Sequence, residues 1–192
     1  LAKPPKRVPW KRFDMNELIV ELERSGVLHS PLIRAALGRI DRADFVPEEL
    51  RESAYEDTAL PIGFGQTISQ PYTVVFMLEK LCIQRGDRVL EIGYGSGWAT
   101  TLFADLVGPS GYIYAFEIIP ELCALGKQNI NKYSTLMRRA QLICVSAEHG
   151  YSAGAPFDRI IAAATVEDVP MAWREQLAVH GRMVYPKGNS LF

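Results

Sequence analysis

Four residues at alternate positions, Glu91, Gly93, Gly95 and Gly97, carry the most specific chemical signal in the chain, inside the run VLEIGYGSGWAT at residues 89–100. Val89, Leu90 and Ile92 read as a short buried strand and the glycines as a tight bend. Trp98 onward reads as a helix continuing through Leu102, Phe103 and Leu106. Glycine leaves the backbone open to a ligand and tolerates positive φ, and the helix start behind the bend offers unpaired N–H groups. Such a bend suits a nucleotide-like ligand. The dinucleotide fingerprint GxGxxG would need Gly where Trp98 stands, and the acid Glu91 two residues ahead of the first Gly disfavours pyrophosphate. That acid favours a cation carrying an ammonium and a sulfonium. A second acid, Glu117, closes a second apolar run at the interval of roughly 20 residues that lets a carboxylate reach a ribose diol. Acid, bend and acid together fit S-adenosylmethionine; the alternative is a helix-start glycine turn with no ligand.

The rest of the chain must hold that bend. Its 192 residues are 48% hydrophobic with a net charge of -1, which suits one compact domain with a full core. That charge implies no global attraction to nucleic acid or to an anionic membrane. Lys3, Lys6, Arg7, Lys11 and Arg12 make the first residues basic and read as a solvated arm. No apolar run approaches the roughly 20 residues of a membrane span, and no signal-peptide core opens the chain. Cys82, Cys123 and Cys144 lie in apolar elements without CxxC spacing, which points to reduced core residues in a cytoplasmic protein. His29, His149 and His180 form no ligand cluster, so no metal is expected. The opening Leu1 points to a trimmed chain or a fragment.

Asp14 with Glu17 predicts a capped amphipathic helix through Leu18, Ile19 and Leu22 to Arg24, stopped near Gly26. Ser30 and Pro31 predict the N-cap and first position of a second helix carrying Ile33, Ala36, Leu37 and Ile40. From Asp41 to Pro71 the periodicity breaks, yet Phe45, Val46, Tyr55, Leu60 and Ile62 make the segment apolar enough to pack down as a functional loop. Asp41 and Asp57 read as loop-capping acids. Beyond it a helix is expected at 72–81, strands at 87–92, 112–117, 141–145, 158–163 and 182–185, and helices opened by Pro120 and Pro170. Strands alternating with helices mean an α/β fold with a doubly wound parallel sheet.

The loop segment is also distinctive in sequence. LPIGFGQTISQP at residues 60–71, preceded by DRADFVP and AYEDTA, resembles the protein-L-isoaspartate (D-aspartate) O-methyltransferase family, whose hallmark is a GQTISQP-like segment ahead of the cofactor strand. APFD before the fourth strand, HGR entering the fifth and PKGNS leaving it extend the resemblance over about residues 41–190. It implies a Rossmann-like class I methyltransferase: α/β, doubly wound, mostly parallel, with N-terminal accessory helices. One domain over 1–192 is expected, with an arm and accessory helices at 1–40, a substrate and active-site segment at 41–71 and a cofactor-binding core at 72–192.

The resemblance implies methyl transfer from S-adenosyl-L-methionine, with S-adenosyl-L-homocysteine as product, to the carboxylate of L-isoaspartyl and D-aspartyl residues in damaged proteins. The ester would then cyclise unaided to a succinimide, which starts repair. A carboxylate with a pKa of about 4 is already ionised at neutral pH, so no general base is required and the work is alignment. Ser69, at the hallmark position, is implied as the catalytic residue, holding the substrate carboxylate or the cofactor beside Thr67 and Ile68. A helix N-cap before Pro71 is its other reading. The implied cofactor-binding set is Thr67, Ile68, Ser69, Glu91 toward the methionine ammonium, Gly93, Gly95, Gly97, Glu117 on the ribose hydroxyls, and Ser146 and Ala147.

Two departures from the family pattern stand out. The third strand typically ends in GDG, whereas aligning Gly150 and Tyr151 puts Val145, Ser146 and Ala147 there; Ser146 keeps a hydroxyl that can accept a hydrogen bond. Family members also continue past the fifth strand with two more, and the expected reason for their absence here is truncation, since the fifth strand would otherwise be an exposed edge. Isoaspartyl peptides and proteins are the expected partners, with no nucleic acid, no membrane and a monomeric state. The alternatives are a methyltransferase-like binding module with a weak or lost donor site, and a methyltransferase for another carboxylate or a small molecule.

Overall fold

Helix α1 (Met15–Arg24) starts where the Asp14 carboxylate accepts the Glu17 N–H at 2.9 Å, and it buries Leu18, Ile19 and Leu22 along one stripe. Gly26, at φ +74°, turns the chain out of it. Helix α2 (Pro31–Arg39) has Ser30 at its N-cap and proline at its first position. Its start is tied across the fold by Glu79, whose carboxylate accepts the His29 and Ser30 N–H groups at 2.8 and 2.7 Å. The computed structural model describes residues 14–188, 190 and 191; the basic residues Lys3, Lys6, Arg7, Lys11 and Arg12 lie outside them.

The aperiodic segment holds two 3-10 turns, Arg42–Phe45 and Glu48–Ser53, and an antiparallel hairpin of β1 (Leu60–Gly63) and β2 (Gln66–Ile68). The hairpin adds to the sequence reading, because strands this short show no measurable alternation. Asp41 caps the first turn by accepting the Ala43 N–H at 2.9 Å. Asp57 caps helix α3 (Pro71–Leu81) by accepting the Tyr72 N–H at 2.7 Å. Ser69 therefore does not cap α3, whose N-cap position is Gln70.

Beyond α3 the chain runs β3 (Arg88–Ile92), α4 (Trp98–Val107), β4 (Tyr112–Glu117), α5 (Pro120–Ile130), α6 (Ser134–Met137), β5 (Ala140–Cys144), β6 (Phe157–Ala162), α7 (Met171–Gln176), β7 (Leu177–Val184), and a small hairpin of β8 (Pro186–Lys187) and β9 (Ser190–Leu191). Strands β3 to β7 form one parallel sheet in the order β5-β4-β3-β6-β7. The order reverses at β3, between β4 and β6, so a crevice opens there at the carboxyl ends of the strands. Successive side chains serve opposite faces. Val89, Ile113 and Ala115 join the core with Leu18, Leu37, Val75 and Leu102, while Leu90, Phe116 and Ile160 join a second core with Trp173.

Two expectations change. The last sheet strand begins at Leu177, well before residue 182, because a register shift near Phe157 and a left-handed His180 at φ +66° break the alternation that would reveal it. The reading of three reduced cysteines is corrected: Cys123 and Cys144 form a disulfide with a Cα–Cα distance of 5.9 Å, and Cys82 alone is free among the described residues. The start of α5 follows β4 directly, and the β4–β5 register sets Cys144 beside Glu117, so only the assembled sheet brings the two sulfurs together. Among the described residues no helix is long and apolar enough to cross a membrane.

Glu79→Ala leaves the two N–H groups ahead of α2 without their acceptor. Denaturant titration is expected to show a loss of about 1–2 kcal/mol with an unchanged slope.

Candidate active site

The bend after β3 is held from two sides. The Gly93 and Tyr94 N–H groups donate to the Phe116 carbonyl at 2.7 and 3.1 Å. The Gly95 N–H donates to one oxygen of Glu117 at 3.0 Å, and the other oxygen accepts the Ile118 and Ile119 N–H groups at 2.7 and 3.1 Å. One buried carboxylate thus joins the bend to the start of α5. Gly93, Gly95 and Gly97 adopt φ of +85°, +48° and +83°, values that favour glycine. At Gly97 space is equally demanding, since a Cβ would lie 2.7 Å from Ile130 Cγ1. Helix α5 returns the fit through Gly126, whose Cβ would lie 2.7 Å from the Gly95 carbonyl oxygen, and through buried Asn129, which donates to the Ser96 carbonyl at 3.0 Å. The sequence reading passed over both, although a lone glycine inside a helical pattern is a signal of close packing.

A cavity of about 290 Å³ opens at this bend. Small-molecule sites start at about 300 Å³, so it suits one such ligand. Its wall brings together Thr67, Ile68 and Ser69 from β2 and the turn after it, Gly93 and Gly95 from the bend, Glu117 from β4 and Ala147 from the loop after β5. Tyr94 and Trp98 also line it. The sequence reading missed Gln66, Val74, Phe116, Ile118 and Ala163 on the same wall. Apart from Gln66 these are apolar and look like ordinary core positions in sequence.

Three expected residues lie off the wall described. Gly97 has its Cβ direction turned into α5. Ser146 is exposed, with its hydroxyl accepting the Glu148 N–H at 3.2 Å. Glu91 shares the face of Val89, beneath the bend, and is 1% exposed, with neither carboxyl oxygen hydrogen-bonded among the described residues. Burial pushes its carboxyl up to about 8; the neighbouring Thr100 hydroxyl, outside hydrogen-bond geometry, opposes the rise and the Glu117 charge adds to it. Thr100 Oγ1 and Trp98 Nε1, on the adjoining helix α4, are also buried without hydrogen-bond partners among the described residues. Among the described residues no group of three or more His, Cys, Asp or Glu side chains could hold a metal ion.

A parallel sheet in this order, with a glycine bend at its switch point and an acid ending the neighbouring strand, is a Rossmann-like nucleotide-binding arrangement. The chain belongs to the protein-L-isoaspartate(D-aspartate) O-methyltransferase family, whose model matches residues 13–191. A protein-L-isoaspartate O-methyltransferase of Methanothrix thermoacetophila is 44% identical over 173 residues, covering 90% of this chain and 80% of that one. A solved protein-L-isoaspartate O-methyltransferase superposes with a TM-score of 0.80 at 28% identity, over 90% of this chain and 55% of that one. A Plasmodium falciparum structure, described as a beta-aspartate methyltransferase in complex with S-adenosyl-L-homocysteine, shares the fold with a TM-score of 0.83 at 21% identity, over 93% and 86% of the two chains.

The raised Glu91 value sets a pH dependence. The folded chain keeps a proton up to about 8 that the unfolded chain releases near 4.5, so Glu91 contributes stability that falls as pH rises through that window. Urea titrations are expected to show wild type losing a few kcal/mol relative to Glu91→Gln between those limits, and parallel curves would refute the assignment.

Proposed function

We propose that this chain carries out S-adenosylmethionine-dependent methyl esterification of the side-chain carboxylate of L-isoaspartyl and D-aspartyl residues in damaged proteins, the opening step of their repair. The observation that carries the reading is the meeting of Thr67, Ile68 and Ser69 with the glycine bend on one cavity wall, in a chain of this family. The donor, when bound, supplies an electrophilic methyl group. The residues present suit it: a bend without side chains, an acid at the end of the next strand, and a second acid beneath.

In this reading Gly93 and Gly95 leave the backbone open to the donor. Glu117 takes the ribose hydroxyls with lone pairs that its three N–H donors leave free. Glu91 lies below the bend without contact, neutral until the positive charge of the donor favours its ionisation, and Gly97 acts by letting α5 close on the bend. Ala147 borders the adenine, and the Ser146 hydroxyl, turned toward the Glu148 N–H, stays at the rim. The acceptor carboxylate is ionised at neutral pH, so the protein's task is to hold one oxygen in line and to exclude water. Ser69, half-buried on the wall, donates its O–H to that carboxylate. Residues 41–71 then form the acceptor side of one domain, 72–192 the donor side, and the two helices within 1–40 an accessory layer. Cytoplasmic residence, a monomeric state and the lack of nucleic-acid or membrane partners complete the proposal, the last supported by the net charge of -1.

With methyl-labelled donor, the protein is expected to esterify an isoaspartyl peptide and not its aspartyl twin; equal labelling of both would overturn the substrate. Glu117→Ala is expected to raise the donor Kd by about 10- to 100-fold, and Ser69→Ala to lower kcat by a similar factor while Kd stays within about threefold. Calorimetry with initial rates separates the two, and the reverse pattern would mean their roles are exchanged.

A further inference from the structure

We infer that Arg42 is the positioning residue for Ser69, fixing the acceptor side of the cavity against the glycine bend; this rests on the proposed role of Ser69. Arg42 is fully buried, and its guanidinium gathers a segment with little regular structure of its own. Nη1 donates to the Ala54 and Glu56 carbonyls at 2.7 and 3.3 Å. Nη2 donates to the Thr58 carbonyl at 2.9 Å and to the carbonyl of Ser69 itself at 3.1 Å. A planar fork with five donors can span several carbonyls at fixed angles, which a point-charge ammonium cannot. Burial lowers the guanidinium to about 10, opposed by the charges of Asp57 and Glu56, so it remains a cation at neutral pH.

The same side chain reaches the donor half of the cavity. Its Cζ lies 5.3 Å from the centroid of the Trp98 ring, within cation–π range. Trp98 is buried, lines the cavity and opens helix α4 directly after Gly97. Asp57 completes the arrangement from the far side of Ser69. Its backbone carbonyl and one carboxylate oxygen both accept from Gln70 Nε2 at 3.1 Å, while the other oxygen caps α3. Ser69 is thus held through its own carbonyl by Arg42 and through its neighbour by Asp57, and one cation touches both walls. Arg42 does not itself line the cavity, and of the two lining residues it touches Ser69 is on the acceptor side and Trp98 on the donor side, so a loss of kcat with donor Kd unchanged passes through Ser69.

The test is a double-mutant cycle on the full chain, with kcat and KM for an isoaspartyl peptide, donor Kd by calorimetry, and circular dichroism. Arg42→Lys is expected to lower kcat about tenfold or more, with donor Kd and peptide KM within about threefold. In the Ser69→Ala background the same change is expected to cost less than about twofold. A folded Arg42→Lys with kcat within about twofold of wild type, or equal losses in both backgrounds, overturns the inference. Should Arg42→Lys fail to fold, Asp57→Asn is read the same way. It keeps an acceptor for the Tyr72 N–H but removes the charge facing the guanidinium, and is expected to lower kcat about threefold or more only when Ser69 is present; equal losses overturn the inference. Wild type that leaves the isoaspartyl peptide unlabelled removes the reaction and this inference with it, whereas active wild type with additive variants removes the inference alone.

Discussion

The interaction on which the rest depends is the Glu117 carboxylate. By accepting the Gly95, Ile118 and Ile119 N–H groups it satisfies backbone donors in the bend after β3 and at the start of α5. Those donors would otherwise lie in a partly buried crevice, where an unmade hydrogen bond costs about 1–3 kcal/mol. Because β4 lies beside β3 in parallel register, Glu117 arrives one residue beyond the Ile92–Phe116 pair, level with the bend. The bend is therefore shaped by the neighbouring strand as much as by its own glycines.

Closure of α5 on the bend follows from that anchor. The helix starts at Pro120, just after Glu117, and Gly126 admits the Gly95 carbonyl at a distance no side chain would allow. The disulfide between Cys123 and Cys144 then ties the first turns of the same helix to the end of β5. Around this firmly held frame sit buried polar atoms without hydrogen-bond partners among the described residues: both oxygens of Glu91, Thr100 Oγ1 and Trp98 Nε1. A buried carboxyl without a donor is stable chiefly in its neutral form, which is why Glu91 titrates so far above an ordinary glutamate. Such unpaired groups beneath a ligand-sized cavity fit a region shaped for charge that arrives with a ligand.

The acceptor side is built on a different principle. Outside the β1–β2 hairpin, residues 41–71 contain little regular structure, and the carbonyls of Ala54, Thr58 and Ser69 find their partner in a buried guanidinium rather than in a ladder. Ser69 sits in the short turn between β2 and α3, and the cation fixes that turn against the irregular stretch that precedes β1. It also depends on that cation, since its removal would take the donor from the Ala54, Glu56, Thr58 and Ser69 carbonyls at once.

Much of this was legible in the sequence, because local physics governs it. The capped helices at Met15 and Pro31, the strand, bend and helix around Glu91, and the alternation that makes a parallel sheet all depend on residues within a few positions of one another. Glycine spacing and two acids were enough to indicate the donor, and the GQTISQP run was enough to indicate the family. Other features depended on assembly. Burial of Arg42 and Glu91, the capping of α3 by Asp57 in place of Ser69, the pairing of Cys123 with Cys144 and the solvent-facing turn of Ser146 join residues far apart in the chain or set which way one side chain points. Periodicity reports which residues share a face and caps report where elements begin, but only packing decides which distant groups meet and which of them lose water.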